Sequence, residues 1–231
     1  ALAVTAVAAV RARWPGCEVR VLSMLPASSA LADGAHRELE ASTGCSVAYN
    51  PLPIDSRDFK GMGAISSTWA LVRACACWLR VLPGSGAPGA SEVEWADIVV
   101  AVGGHYLFTV TNSIRSSVRL FRVVWPLILA RRIGRPYILF SQSLGPFSSP
   151  GSMLLARQVL RGAKMVFARE EVSANVARAA GLTENVAVMP DSAFGLEASQ
   201  NPRSGGLLAI TLREPIHGSR LQLAATRRRY L

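Results

Sequence analysis

An α/β fold built on a parallel sheet is predicted by three features of this sequence. Short apolar runs of strand character alternate with amphipathic helical segments at intervals that suit right-handed βαβ units. Two consecutive runs, DIVVAVGGHYLF from Asp97 to Phe108 and RPYILFSQSLGPF from Arg135 to Phe147, pass from apolar residues into small, turn-forming ones. The chain of 231 residues is half apolar, with a mean hydropathy of +0.28, so it can bury a sizeable core.

Taken in order, Ala1 to Arg13 reads as a helix closed by Trp14-Pro15-Gly16, and Glu18 to Ser23 as a strand. A second helix, Leu31 to Ser42, stops at Gly44, and Cys45 to Tyr49 is the next strand. After a Pro-rich loop, Met62 to Leu82 is mostly helical. Strands follow at Ile98–Val102, Tyr137–Phe140, Met165–Ala168 and Val186–Met189, with helices between them. The helix before Tyr137 sets an apolar stripe of Ile114, Val118, Phe121, Trp125 and Ile128 against a solvated face of Arg115, Arg119 and Arg122, with a kink or restart at Pro126. The helix from about Glu170 to Ala180 is closed by Gly181. A doubly wound domain normally opens with a strand whose following loop belongs to the site. This chain opens with a helix, so a first strand and its Gly-rich loop are expected to be missing.

Residues 1–196 are thus expected to form one domain. EASQNPRSGG, residues 197–206, has the composition of a linker. Leu207 to Arg213 has the pattern of the first strand of a new unit, of which residues 207–231 would be only the truncated start.

Ligands in open α/β sheets bind at the carboxyl ends of the strands, where two neighbouring strands with small residues outline one site. Gly103 and Gly104 lack the Cβ that would hold a ligand off the backbone, and His105 follows at once. The alternative is a plain strand-to-helix turn with a solvent-facing histidine. Ser141, Gln142 and Ser143 supply polar side chains beside the Gly145-Pro146 turn, although such residues also punctuate ordinary turns. Arg169 stands where the strand Met165–Ala168 hands over to a helix, and a cation there opposes the helix dipole that Glu170 and Glu171 suit. It holds either an anion, which the helix N–H groups would also attract, or a salt bridge to Asp191 or Glu170. GSGAPG, Gly84 to Gly89, matches a dinucleotide fingerprint only in letters, for it follows a helix, has Pro in fifth place and leaves no room for the helix that the fingerprint needs. No cofactor is expected.

Charge is unevenly divided: residues 1–110 carry 8 basic and 9 acidic side chains, residues 111–231 carry 17 and 6. Anions are therefore expected in the second half, unless the surplus is a solvated arginine-rich surface. Nucleic acid is not an expected partner, because the cations are not interleaved with exposed aromatics and no zinc-finger or RNA-recognition signature occurs. Cys75 and Cys77 have no second pair or histidine at metal spacing, so no metal site is expected, and with Cys17 and Cys45 they read as buried thiols in a reducing cytoplasm. The apolar start, Ala1 to Val10, has its charges after it, which is the wrong order for a secretory signal. Val123 to Ala130 is far short of the roughly 20 residues needed to cross a bilayer, so no transmembrane segment is expected.

In order, DIVVAVGGHYLF, GRPYILFSQSLGPF, VLRGAKMVFAREEVSANVARAAGL and VAVMPDSAFGL resemble the polysaccharide pyruvyl transferase family. That family has a strand ending in Gly-Gly-Gly, one ending in a Gln-Gly-x-Gly-Pro-like turn, a strand leading to Arg-Glu-x-x-Ser, and a Pro-Asp-x-Ala-Phe segment. The match runs from about Asp97 to Leu196, with weaker agreement over Ala1–Ser23 and Leu207–Arg213. The resemblance implies two Rossmann-like domains of glycosyltransferase B type and the transfer of pyruvate from phosphoenolpyruvate to two hydroxyls of a glycan or lipid-linked sugar acceptor, forming a ketal in cell-surface glycan synthesis. It implies a cytoplasmic location, with association at the inner face of the membrane left open. Carried onto this sequence, it marks Gly103, Gly104, His105, Gln142, Ser143, Gly145, Arg169, Ser173 and Asp191 as substrate-binding, and leaves the catalytic residues unassigned. His105 replaces the third glycine of the first motif and Ser143 the glycine of the second. The Arg and His that the family carries late in its second domain have no counterpart, since His217 lies too close to that domain's first strand, so an incomplete or decayed copy is expected. Two rivals stand beside this reading: a nucleotide-sugar glycosyltransferase of the same architecture, and a non-catalytic basic module.

Overall fold

The computed structural model describes residues 2–25, 32–50, 52, 72, 76, 86–109 and 111–196. All belong to one compact unit, Ala1–Leu196. The helix expected at Met62–Leu82 is described only at Val72 and Ala76, both helical. Cys75, Cys77, the expected linker at 197–206 and the expected strand at 207–213 lie outside the described residues.

The elements run α1 (Leu2–Arg13), β1 (Arg20–Leu22), α2 (Ala32–Thr43), β2 (Ser46–Ala48), α3 (Ala90–Trp95), β3 (Val99–Leu107), α4 (Ile114–Ile133), β4 (Tyr137–Leu144), α5 (Pro150–Gly162), β5 (Met165–Ala168), α6 (Glu171–Ala179) and β6 (Val186–Val188), then a 3-10 turn, Ser192–Gly195. The chain is α/β with parallel sheets. β1 pairs with β2, and a second sheet has the order β3-β4-β5-β6, every pair parallel. Because all four strands of the larger sheet point the same way, their carboxyl ends share one rim.

Two strands reach further than the sequence predicts. Val102 and Phe140 are register partners but not strand ends, because β3 and β4 go on to pair Gly104 with Gln142 and Leu107 with Leu144. The residues expected to form turns therefore lie inside the sheet. The pairing is irregular between Gly104 and Leu107 and, on the other side of β4, between Leu139 and Gln142. Ser141 has a positive φ of 53°, the one such non-Gly residue described. Gly103 is what allows the strands to close there: a Cβ on it would sit 1.9 Å from the Ser141 carbonyl oxygen. Only glycine tolerates that approach.

The helices follow from local chemistry. Ser113 starts α4 by accepting a hydrogen bond from the Ser116 amide at 3.3 Å, and Gly134, at φ 83°, ends it. Ser149 and Ser152 form a reciprocal capping box for α5, with Pro150 in the first turn where its missing N–H costs nothing. The α4 face that carries Val118, Val124, Trp125 and Ile128 is buried, with Trp125 fully so and its indole N–H donating to the Pro88 carbonyl at 2.8 Å. These join Leu139, Leu160 and Val166 in the core.

Two expectations for α4 need correction. Arg122 is buried at 9 % exposure and so is no part of a solvated face, while Ile114, expected in the apolar stripe, is 50 % exposed at the first turn. Nor does the helix restart at Pro126, for it is continuous from Ile114 to Ile133. A proline removes one backbone donor. Here the flanking Val124, Trp125, Leu127 and Ile128 are held in the core, and their burial outweighs that loss.

Candidate functional site

The carboxyl rim is stitched together by polar residues that come from four strands. Gln142, on β4, is fully buried, and its side-chain amide donates to the Gly104 carbonyl of β3 at 2.8 Å. That contact orients the amide and leaves Gln142 Oε1 buried without a hydrogen-bond partner among the described residues. Across the other edge of β4, the Arg169 amide donates to the Gln142 carbonyl at 3.1 Å. His105, exposed at the far end of β3, donates from Nε2 to the Gly145 carbonyl at 2.8 Å and stacks on Phe108 with ring centroids 4.3 Å apart. A carbonyl can only accept, so the proton is on Nε2 and Nδ1 faces away from this bond. Gly145 itself has φ 73° and precedes a cis Pro146.

The second group is centred on Glu170, just before α6. Its carboxylate accepts from the Ser143 hydroxyl of β4 at 3.1 Å, from the Ser173 hydroxyl one turn into α6, and from Arg169 Nε at 3.3 Å. Ser173 is itself buried and also takes the Leu144 amide at 2.8 Å. Partial burial pushes the Glu170 carboxyl up, but the bonds from Ser173, Ser143 and Arg169 outweigh it and hold the group below its ordinary value. Because the Glu170 side chain is used in this way, it does not cap the helix, and the first-turn N–H groups of α6 have no side-chain cap.

Arg169 joins this group to Asp191, beyond β6. Its Nη1 donates to Asp191 Oδ2 at 2.7 Å. The Asp191 carboxyl is held down first by the Ala193 amide, against some burial, and then by Arg169. Burial lowers the Arg169 value, and the two carboxylates more than reverse that. Its side chain is 32 % exposed, and Nη2 makes no hydrogen bond among the described residues. Both salt bridges that the sequence offers as the alternative to anion binding are therefore present, and one nitrogen of the planar fork remains.

All nine residues marked on the sequence meet on this rim, though not in one manner. Gly103, Gln142, Ser143 and Ser173 are buried and bond to protein, whereas His105 is exposed and Arg169 and Asp191 are half-buried. Sequence reasoning missed the part played by Glu170, which it assigned only to the helix dipole. The E-x-x-S spacing of Glu170 and Ser173, one helical turn apart, was the available signal. It also passed over Ser192, whose amide donates to Ser141 Oγ at 2.8 Å and ties the last turn to β4.

Among the described residues no group of three His, Cys, Asp or Glu side chains is placed to hold a metal. Cys45 is buried and Cys17 half-buried, both as free thiols. No described helix is long and apolar enough to cross a membrane. No curated protein and no solved structure matches the chain. The family model for polysaccharide pyruvyl transferase matches residues 9–227, nearly its whole length, and takes in every strand of the rim. The chain therefore belongs to the polysaccharide pyruvyl transferase family, a family of transferases.

Proposed function

We propose that the protein is a polysaccharide pyruvyl transferase that moves pyruvate from phosphoenolpyruvate to two hydroxyls of a sugar. In that reaction a proton is added to the enol methylene, which becomes a methyl group and leaves the adjacent carbon open to a sugar hydroxyl. A second hydroxyl then displaces phosphate to close the ketal. Of the two hydroxyl protons released, one balances the methylene and the other leaves with the phosphate. The donor presents only acceptor oxygens at neutral pH, so its recognition calls for cations and N–H groups.

Arg169 is the observation that carries this reading. Its guanidinium is fixed at two nitrogens by Glu170 and Asp191 and keeps Nη2 for a further partner, beside an α6 N-terminus that lacks a side-chain cap. A fork already held in place loses little freedom on binding. The two carboxylates weaken the field that an approaching anion feels, so attraction at this point is a short, directional bond and not long-range steering. Exposed His105 and the glycine backbone of β3 border the same rim.

Titration calorimetry with phosphoenolpyruvate on the full chain tests the proposal. Arg169→Ala is expected to weaken binding by about 1.5 to 3 kcal/mol, the worth of a charge-assisted hydrogen bond. Arg169→Lys should recover only part of it, because an ammonium cannot reproduce the planar fork. If Arg169 serves only its salt bridges, the melting temperature falls while affinity of the folded variant stays at the parent value, and the assignment is lost.

A further inference from the structure

From Ile98 to Arg169 the chain carries ten lysines and arginines and not one aspartate or glutamate. In the fold several of these cations gather at the edge of the unit opposite the site. The helices α4 and α5 end there, at Ile133 and Gly162, and β4 and β5 begin there, at Tyr137 and Met165. The two helices pack on each other, and the Cδ of Arg131 lies against Gly162, close enough that a Cβ there would come within 2.9 Å of it. Arg131 donates to the Gln158 carbonyl, and Arg161 donates from Nε to the Ala180 carbonyl at 2.8 Å. The Lys164 amide bonds to the Tyr137 carbonyl at 2.8 Å, which fixes Lys164 beside them. Arg131, Arg157, Arg161 and Lys164 are exposed, and none has an ion pair among the described residues. Among the described residues, Glu94 and Asp97 precede β3, and Glu184 precedes β6 across from Lys164 in the β5–β6 register, without an ion pair between them.

We propose that this face docks on an anionic lipid bilayer. Cations at helix C-termini satisfy the last carbonyls and the dipole, which explains Arg131 and Arg161. It does not explain Arg157, in mid-helix, or Lys164, past the helix end, nor the exclusion of every acid over so long a stretch, since ordinary surfaces mix both signs. On the outer face of α5, Leu154 is 68 % exposed at three and seven residues from Arg157 and Arg161, so one apolar side chain stands among long cationic stems. That combination suits a headgroup layer, where arginine and lysine stems lie along apolar surface while their charges meet phosphate. Nucleic acid is less well matched, because Tyr137, which lies with Arg131 against Gly162, is 1 % exposed and offers no face for a base. Docking here does not depend on the pyruvyl-transfer reading, since none of these residues belongs to the rim.

The test is co-sedimentation of the full chain with vesicles of phosphatidylcholine alone or with about one third phosphatidylserine, across a range of salt. Binding to the anionic vesicles only, fading as salt shortens the screening length, is the expected result. Arg157 and Lys164 make no side-chain hydrogen bond among the described residues, so R157E/K164E should keep its melting temperature and bind the vesicles more than thirtyfold more weakly, at about 1 kcal/mol per cation removed. Should that variant be destabilised, R157Q/K164Q serves, with about a thirtyfold loss expected. Failure to bind anionic vesicles, unchanged binding by the folded variants, or tighter binding of a DNA duplex than of the vesicles at the same salt would each overturn the proposal.

Discussion

Gly103 shows how much one residue decides on this rim. The β3 and β4 backbones come so close at this point that the nearest atom to a Cβ would be the Ser141 carbonyl oxygen at 1.9 Å, with the Phe140 carbonyl oxygen at 2.7 Å. Both are backbone atoms in the middle of a sheet and neither can swing aside. Gly103→Ala is therefore expected to destabilise the protein by about 2 to 4 kcal/mol, the range of an overpacked core with strand displacement. Urea unfolding measures it, and a loss below about 0.5 kcal/mol, typical of an indifferent surface site, would mean that the strands separate freely here. The same residue marks the limit of what the sequence discloses. Read alone, Gly-Gly after Val102 is a strand ending in a turn, because glycine weakens strands and favours positive φ. That β3 continues through it depends on the register against Gln142 and Leu144, about 40 residues away in the chain, and no local pattern contains that pairing. Arg122 fails to read for a related reason. Its spacing with Arg119 suggested one wet face, whereas its burial is decided by what packs on α4.

At the scale of elements, local chemistry was much easier to read. β5 occupies the expected residues, Met165–Ala168, and α1 and α2 agree to within a residue at each end, because an apolar run marks the strand, an alanine-rich stretch closed by Pro15-Gly16 marks α1, and a periodic pattern stopped at Gly44 marks α2. Capping adds a test. The α5 capping box couples Ser149 and Ser152, and Ser152 also accepts from the Thr109 hydroxyl at 3.2 Å, so the helix start is tied to the loop after β3. Ser149→Ala should cost about 1 kcal/mol in chemical denaturation, the usual worth of an N-cap. Ser152 is only 1 % exposed, so Ser152→Ala, which also strips the Thr109 contact, should cost more than Ser149→Ala. The reverse order would show that the tie between loop and helix contributes little. The contacts within the site were harder to foresee than the helices around it. Ser173 meets Glu170 within one helical turn, but the bonds from the Ser143 hydroxyl to Glu170 and from the Leu144 amide to Ser173 exist only because β4 extends past Phe140 to lie beside the start of α6.

For the whole molecule, the rim and the core set the two limits of stability with pH. Glu170 and Asp191 both have folded values held below their ordinary 4.5 and 3.8, so in acid the unfolded chain takes up protons first. Their contribution is complete above the ordinary carboxylate range and is lost as pH falls through it toward the lowered folded values. At the alkaline end the sign reverses. Burial pushes Tyr137 up from 10.0 to about 12, against a smaller lowering by Arg131, and burial raises Tyr106 as well. The unfolded phenols ionise first, so stability is full below about pH 10 and drains as pH rises toward the folded values. Denaturation across pH should trace a plateau with two falling limbs, and two variants assign them. Arg169→Gln removes the charge and the hydrogen bonds that Arg169 gives both carboxylates, and the acid limb should become shallower without vanishing, since Ser143, Ser173 and the Ala193 amide still favour the ionised forms. Tyr137→Phe, which also loses the bond to the Val159 carbonyl, should lower the plateau and flatten the alkaline limb while leaving the acid one as it was. An acid limb of the parent slope in Arg169→Gln would show that the guanidinium does not couple to Glu170 and Asp191 in solution, and would also remove the fixed fork on which phosphoenolpyruvate recognition is proposed to rest.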